Sequence, residues 1–428
     1  METRVFLKTK IVALKARARR LAQIDYASVG IRPQDLPYAP SPNHFRAANQ
    51  RLRKIDREIQ RRLAHLQASW SNSSIHRVLL DIALVEREVD RARRAFGLFF
   101  EVFGQRGTTF APVLAAYDAI AVDCYTAIRQ VAPQIFRGPL LKPVCYMEHG
   151  FSPATMRRGV QLNRLLGEPN PFPVIRIPWD RDNPWQAVFL HEVAHNLQAD
   201  LGIWQENRQA VGRRALSFSG DFGLARVYAH WHKEIFADLA AILLGGPAAA
   251  WGMAVFLAHP APRTLTFRPG SAHPTAYLRI FILAEMLHRL GFSQESDRMR
   301  RVWQGLYNPQ QGHRMPMNLL LTADQLIPQI VDEIAFQTRR NLGQRALVDI
   351  LPFTATDQQA IQAGAQDLVQ GQIPPHLPPR HLVSAASYAL VTGKIPPQTL
   401  ANRVIQHLNH LAQPAVHSLS EAQAAVVA

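Results

Sequence analysis

The chain predicts a mainly α-helical fold with one small β-sheet. Aromatic residues make up only 8% of its 428 residues, whereas the straight-chain and small residues that favour helix recur throughout. Apolar residues return every three or four positions over long stretches, the period of a helix face. Between residues 140 and 182 that period lapses, and proline and β-branched residues become common.

Taken in order, residues 1–24 read as a basic amphipathic helix. The string METRVFLKTKIVALKARARRLAQ has no continuous apolar core, so a secretory signal is not expected, and a surface helix is preferred to a targeting one. Residues 30–43 are proline-rich and read as a linker or extended strap. Over residues 44–68, Leu52, Ile55, Ile59, Leu63 and Leu66 form one apolar stripe, with Arg and Lys around it. Residues 75–104 behave similarly through Ile75, Leu79, Ile82, Leu84 and Val89, and the polar WSNSS between the two segments suits the turn of an antiparallel pair. A third helix is expected at 111–131.

FPVIRIPW, residues 172–179, resembles a short strand, and Pro173 and Pro178 favour an edge position for it. Asp182-Asn183-Pro184 is a helix-start signal: Asn183 can cap free N–H groups and Pro184 fits the first helical position. The helix that follows should end near Gly202. The more polar stretch 203–223, with SFSGDFG, reads as a loop or irregular excursion. A further helix starts near Leu224. Residues 239–258 carry no charge and are long enough to span a bilayer, but Gly245-Gly246-Pro247 reads as a turn between two buried helices, so no transmembrane span is expected. Another helix covers 277–291, and helical periodicity returns beyond residue 315. VQGQIPPH and VTGKIPPQ each read as a helix end with a proline stop, and the last ten residues as a frayed tail. Three regions are expected: 1–135, basic and helical; 136–300, carrying the chemistry; and 301–428, helical.

The formal charge of +16 raises the prior for an anionic partner. It is concentrated in KARARR (15–20), RLRK (51–54), RR (61–62) and Arg91, Arg93 and Arg94. No helix-turn-helix, zinc-finger or glycine-rich RNA motif accompanies it, so nonspecific polyanion contact is expected rather than sequence readout. Cys124 and Cys145 make no disulfide framework, and a reducing, cytoplasmic setting is the default. No motif encodes an oligomeric state.

The chemistry centres on His191-Glu192-Val193-Ala194-His195. Residues four apart share a helix face, so both imidazoles can reach one Zn²⁺ ion, with Glu192 beside them. Seventeen histidines raise the rate of chance matches; the strand-like segment and helix-start signal before the motif count against chance. A catalytic site with two histidines needs a third protein ligand. Glu234, 39 residues after His195 in HKEIFADLAAILLGG, is the choice. Asp238, one turn later, can accept a ring N–H from one of the histidines. The plain alternative, two ordinary helix carboxylates, suits a very apolar helix poorly. His230 and His232 are rival ligands, with His230 the better placed on the helix face, though each is more simply a satisfied histidine. Cys145 and His149 lack the third group of a nucleophilic site.

HEVAH followed by EIFAD resembles the gluzincin class of zinc metallopeptidases, over roughly residues 170–285, about a quarter of the chain. The text NLQADLG after the motif does not suit the metzincin pattern. The resemblance implies a zincin-like metallopeptidase core flanked by helical regions. It implies zinc held by His191, His195 and Glu234, and peptide-bond hydrolysis through a metal-activated water with Glu192 as general base. A further group would steady the oxyanion; His273, Tyr277 and Arg279 in AHPTAYLRI and Tyr228 are the candidates. The substrate would be a peptide or protein, pairing in extended form with the strand at 172–179. A rival reading is a basic helical protein-binding or nucleic-acid-binding protein with a structural or degenerate zinc site. Intact Glu192 favours the enzyme, since a structural zinc does not need it.

Overall fold

The computed structural model describes residues 2–136, 140–150, 154–162, 169–179, 183, 187–309 and 315–412. It is 71% helical with one small, mixed, three-stranded sheet. The chain divides into two compact units, one formed by Met1–Ala115, Val144–Met147 and Met156–Val174, the other by Ala116–Pro143, Glu148–Thr155 and Ile175–Ala428.

The first unit is built on α1 (Glu2–Leu21), α2 (Pro42–Ser69) and α3 (Ile75–Gly104). The stripe Leu52, Ile55, Ile59, Leu63 and Leu66 on α2 is buried as its spacing predicts. On α3 the buried row is Val78, Ile82, Val85, Val89 and Ala92. Ile75, Leu79 and Leu84, expected in that row, are exposed, because the four-three spacing runs through their neighbours instead. Ser74 caps α3, its hydroxyl accepting the Arg77 N–H at 3.2 Å. Residues 30–43 hold a short 3₁₀ turn, Pro33–Tyr38, rather than an extended strap. Phe45, Phe99, Phe103 and Phe172 form an aromatic core, with Phe103 and Phe172 stacked at 5.8 Å. The fully buried Arg106 donates to the Cys145 carbonyl at 2.7 Å and to that of Tyr38 at 3.3 Å.

The strands are β1 (Val144–Glu148), β2 (Ala154–Met156) and β3 (Val174–Pro178), in the order β1-β3-β2. The strand predicted at 172–179 is therefore central, not an edge. Its prolines do not forbid this: Pro173 precedes the strand and Pro178 ends it, so Val174 to Ile177 keep their N–H groups for the ladder.

The second unit holds most of α4 (Ala111–Val131), where the third helix was expected. Among the described residues α4 is long and apolar enough to cross a membrane, but most of that stretch is buried within the protein. Next come α5 (Val188–Asp200), α6 (Trp204–Ser219), α7 (Phe222–Gly245), α8 (Pro247–Leu257), α9 (Ala261–Thr264) and α10 (Ala276–Arg289). They are followed by α11 (Ser293–Leu306), α12 (Met317–Leu321), α13 (Ala323–Val331), α14 (Leu347–Ile350), α15 (Ala355–Gln370), α16 (Pro379–Val391) and α17 (Pro397–Ala412). Asp182 and residues 184–186 of the predicted helix start lie outside the described residues; the described helix begins at Val188. The supposed loop at 203–223 is mostly α6. Its buried face is thin, only Asn207, Ala210, Val211 and Ala215, and small residues leave a weak periodic signal. The predicted helix ends at VQG and VTG are present, with Gly371 and Gly393 at φ 89° and 66°. The expected tail beyond 412 lies outside the described residues.

The turn that divides 239–258 depends on Gly246. Its φ is 65°, its N–H donates to the Ile242 carbonyl at 2.6 Å, and a Cβ there would lie 2.2 Å from Phe353 Cζ. Gly246→Ala meets both a strained backbone and a buried ring. It should destabilise the protein by about 2–4 kcal/mol in urea unfolding. A loss under about 0.5 kcal/mol would mean that the turn relaxes around the methyl group.

Candidate metal centre

Two helices build the centre. The run VFLHEVAH at the start of α5 is almost wholly buried, and α7 is buried from Glu234 to its end. They pack antiparallel, setting His191 beside Asp238 and His195 beside Glu234. Because both motifs repeat at four residues, one turn of each helix presents two groups to the other.

His191 Nε2 lies 3.5 Å from one Glu234 oxygen, and His195 Nε2 lies 3.6 Å from the other. The donor atoms of His191, His195 and Glu234 all fall within 4.8 Å of one another. A tetrahedral metal with bonds of about 2.0–2.2 Å separates its ligand atoms by about 3.3–3.6 Å. The two imidazole–carboxylate distances have that spacing, and the three donors together stay within 4.8 Å. Glu234 Oε2 is buried without a hydrogen-bond partner, a costly state for a carboxylate oxygen unless a cation meets it. Buried Glu192, Glu234 and Asp238 also outnumber buried Arg279 three to one, an acidic surplus for the histidines and a cation to balance. Donor set, spacing and charge all fit a divalent metal.

Asp238 fixes His191. The ring Nδ1–H donates to Asp238 Oδ1 at 2.9 Å, which leaves Nε2 facing Glu234. Arg279 then grips Asp238 with two bonds, Nε to Oδ2 at 2.5 Å and Nη2 to Oδ1 at 2.7 Å. Burial alone would lower the His191 pKa, but Asp238 and then Glu234 outweigh it and raise it to about 9. Burial opposes ionisation of Glu234 too, yet the two imidazoles hold its carboxyl well below the usual range. Asp238 is likewise held ionised against burial by Arg279 and His191.

Glu192 is buried as a residue but has no hydrogen-bond or ion-pair partner among the described residues, and its oxygens are not sealed off. His273 sits on a loop pinned to α7: the Trp231 indole N–H reaches the Ser271 carbonyl at 3.2 Å, and His230 Nε2 meets that of Gly270 at 3.2 Å. The His273 side chain is exposed, with Nε2 3.4 Å from Glu234 Oε2. Burial, aided by Arg279 and His191 and opposed by Glu234, lowers its pKa. Arg279 is buried against Asp238, and its Nη2 comes no nearer to Glu234 than 3.9 Å. Tyr228 is fully enclosed, its ring 5.5 Å from that of Trp231 and its hydroxyl without a hydrogen-bond partner. Tyr277 packs at a tilt against Phe281, with ring centroids 5.0 Å apart. His230 and His232 stay out of the triad; His232 is buried with Nδ1 on the Ala229 carbonyl at 2.8 Å.

Two neighbours escaped the reading of the sequence. Asn196, next to His195, donates to Thr155 Oγ1 on β2 at 2.7 Å. Lys233 Nζ lies 3.9 Å from Glu234 Oε1. Its place beside Glu234 was visible; the Asn196–Thr155 contact joins segments 41 residues apart and had no local signal.

The arrangement of His191, Glu192, His195 and Glu234 matches the gluzincin type, in which an HExxH helix is completed by a later glutamate. It is an enzymatic, protease-like site by its geometry. In comparisons with known proteins, no family model, curated protein or solved structure matches the chain.

Proposed function

We propose that the chain is a zinc-dependent peptidase in which Glu192 is the general base. The observation that carries this is the convergence of two imidazoles and one carboxylate at metal-ligand spacing, with a free carboxylate next to the first histidine. His191, His195 and Glu234 would hold the zinc, which when bound polarises a carbonyl and lowers the pKa of water. Glu192 accepts the proton of the attacking water and delivers it to the leaving amine. His273 is the best placed of the oxyanion candidates, since it faces Glu234 from an exposed loop. With its pKa lowered, its neutral ring can still donate an N–H to developing charge. Arg279 is a positioning residue, gripping Asp238 and lying with Nη2 3.3 Å from the His191 ring nitrogens, and Tyr228 serves the packing of α7. With β3 central, an extended peptide would pair with an outer strand. β2 is favoured, because Thr155 is tied to the residue after His195. Cys124 and Cys145 are buried and form no disulfide among the described residues, which suits a reducing compartment such as the cytoplasm.

The purified full-length chain should contain about one zinc and cleave an unfolded protein. A chelator should stop cleavage and added zinc restore it. Bound zinc without cleavage of any peptide pool would favour the rival reading, a binding protein with a structural site.

A further inference from the structure

Helix α1 has two apolar faces, and the fold uses one. Leu7, Ile11, Leu14 and Ala18 are buried. At 100° per residue, Val5, Phe6, Thr9, Val12, Ala13 and Ala16 make a second stripe on the far side. All six are exposed, with Val5 at 58%, Phe6 at 67% and Val12 at 65%. Basic residues run along both borders of this stripe, Lys8, Lys15 and Arg19 on one side and Lys10 and Arg17 on the other, with Arg20 near its end.

Unpaired basic charge is denser on α1 than on α3, while α2 carries Arg46, Arg53 and Arg57 without an ion pair among the described residues. On α2 and α3, Arg61 and Arg62 are paired with Glu58, Arg91 with Glu88, and Arg93 and Arg94 with Asp90. On α1, Lys10 meets Glu86 at 3.0 Å and Arg4 donates to the carbonyls of Trp70 and Ser73. Lys8, Lys15, Arg17, Arg19 and Arg20 have no ion-pair partner among the described residues. Leu79, also exposed, lies two turns before Glu86 on α3, and Phe6 one turn before Lys10 on α1.

We propose that the outward face of α1 is an interfacial anchor that lies on an anionic lipid surface. An apolar stripe between two cationic rows needs a partner that supplies an apolar phase and negative charge on both sides of it. A bilayer with anionic headgroups does so: the valines and Phe6 enter the acyl boundary while the lysines and arginines meet phosphates. A nucleic acid offers the charge but no apolar layer. A second copy of the chain would bring the same cationic rows against these. The stripe is short of large side chains, so insertion alone is weak, and binding needs both contributions together.

The test is co-sedimentation of the full-length chain with phosphatidylcholine vesicles and with vesicles containing phosphatidylglycerol. The anchor predicts binding to the anionic vesicles only, weakened by salt. Val5→Ser with Phe6→Ser and Val12→Ser should weaken it about tenfold or more. These side chains are exposed, so helicity and melting temperature should stay at wild-type values. Lys8→Glu with Lys15→Glu and Arg19→Glu should abolish binding. Equal binding by wild type and the serine variant would overturn the proposal in favour of plain polyanion attraction. So would absence of vesicle binding, or a dimer in solution that the serine variant loses.

Discussion

Glu192→Gln should keep its zinc and lose about 10²–10⁴-fold in kcat/KM for peptide cleavage. Glutamine has the same shape but cannot accept a proton at neutral pH. Glu192 is not one of the three converging donors, so the ligand set is untouched. It also makes no ion pair among the described residues, so the substitution strands no buried partner. Zinc content, melting temperature and steady-state kinetics on one preparation separate the cases. A variant that retains zinc and more than about a tenth of the activity would remove Glu192 from the mechanism.

Glu234→Ala should lose metal under chelator exposure that wild type survives, with affinity reduced more than about 100-fold, beyond what loss of an outer partner costs. Two imidazoles alone do not complete the donor set of a catalytic zinc site. Asp238→Ala makes a graded comparison, because Asp238 orients His191 without belonging to the triad; its loss should cost about 10–100-fold in affinity. Equal zinc in wild type and Glu234→Ala would shift the third ligand to His273. His230 and His232 each already spend a ring nitrogen on a backbone carbonyl.

The centre was legible in the sequence because its donors sit on two helices whose four-residue spacings are local properties. His191, His195, Glu234 and Asp238 needed only the helix period to be placed on facing sides. The partner of Arg279 was not legible in that way. Arg279 lies 41 residues from Asp238, and which acid an arginine meets at that range is decided by packing. The strand at Val174–Pro178 was found, but its place in the sheet was misjudged. Proline forbids a central position only where a ladder N–H is needed, and these prolines stand at the ends. Helix α6 was missed because small buried residues and a glycine-serine terminus imitate a loop. The stripes on α1 show the reverse difficulty: two apolar faces with basic rows between them blur into one basic segment when read linearly.

The clasp of Arg279 on Asp238 bears on the order of assembly. In small zinc modules the ion organises the chain, and ion affinity and folding are one free energy. Here His191 is oriented from behind by a fully buried guanidinium–carboxylate pair joining α10 to α7. That orientation is secured when those helices dock, so little conformational entropy remains to be lost when the ion arrives. A bound ion would then be a late guest in a finished socket. Chelation and dialysis should remove and return it without unfolding the chain, and its affinity should report on the socket rather than on the stability of the fold.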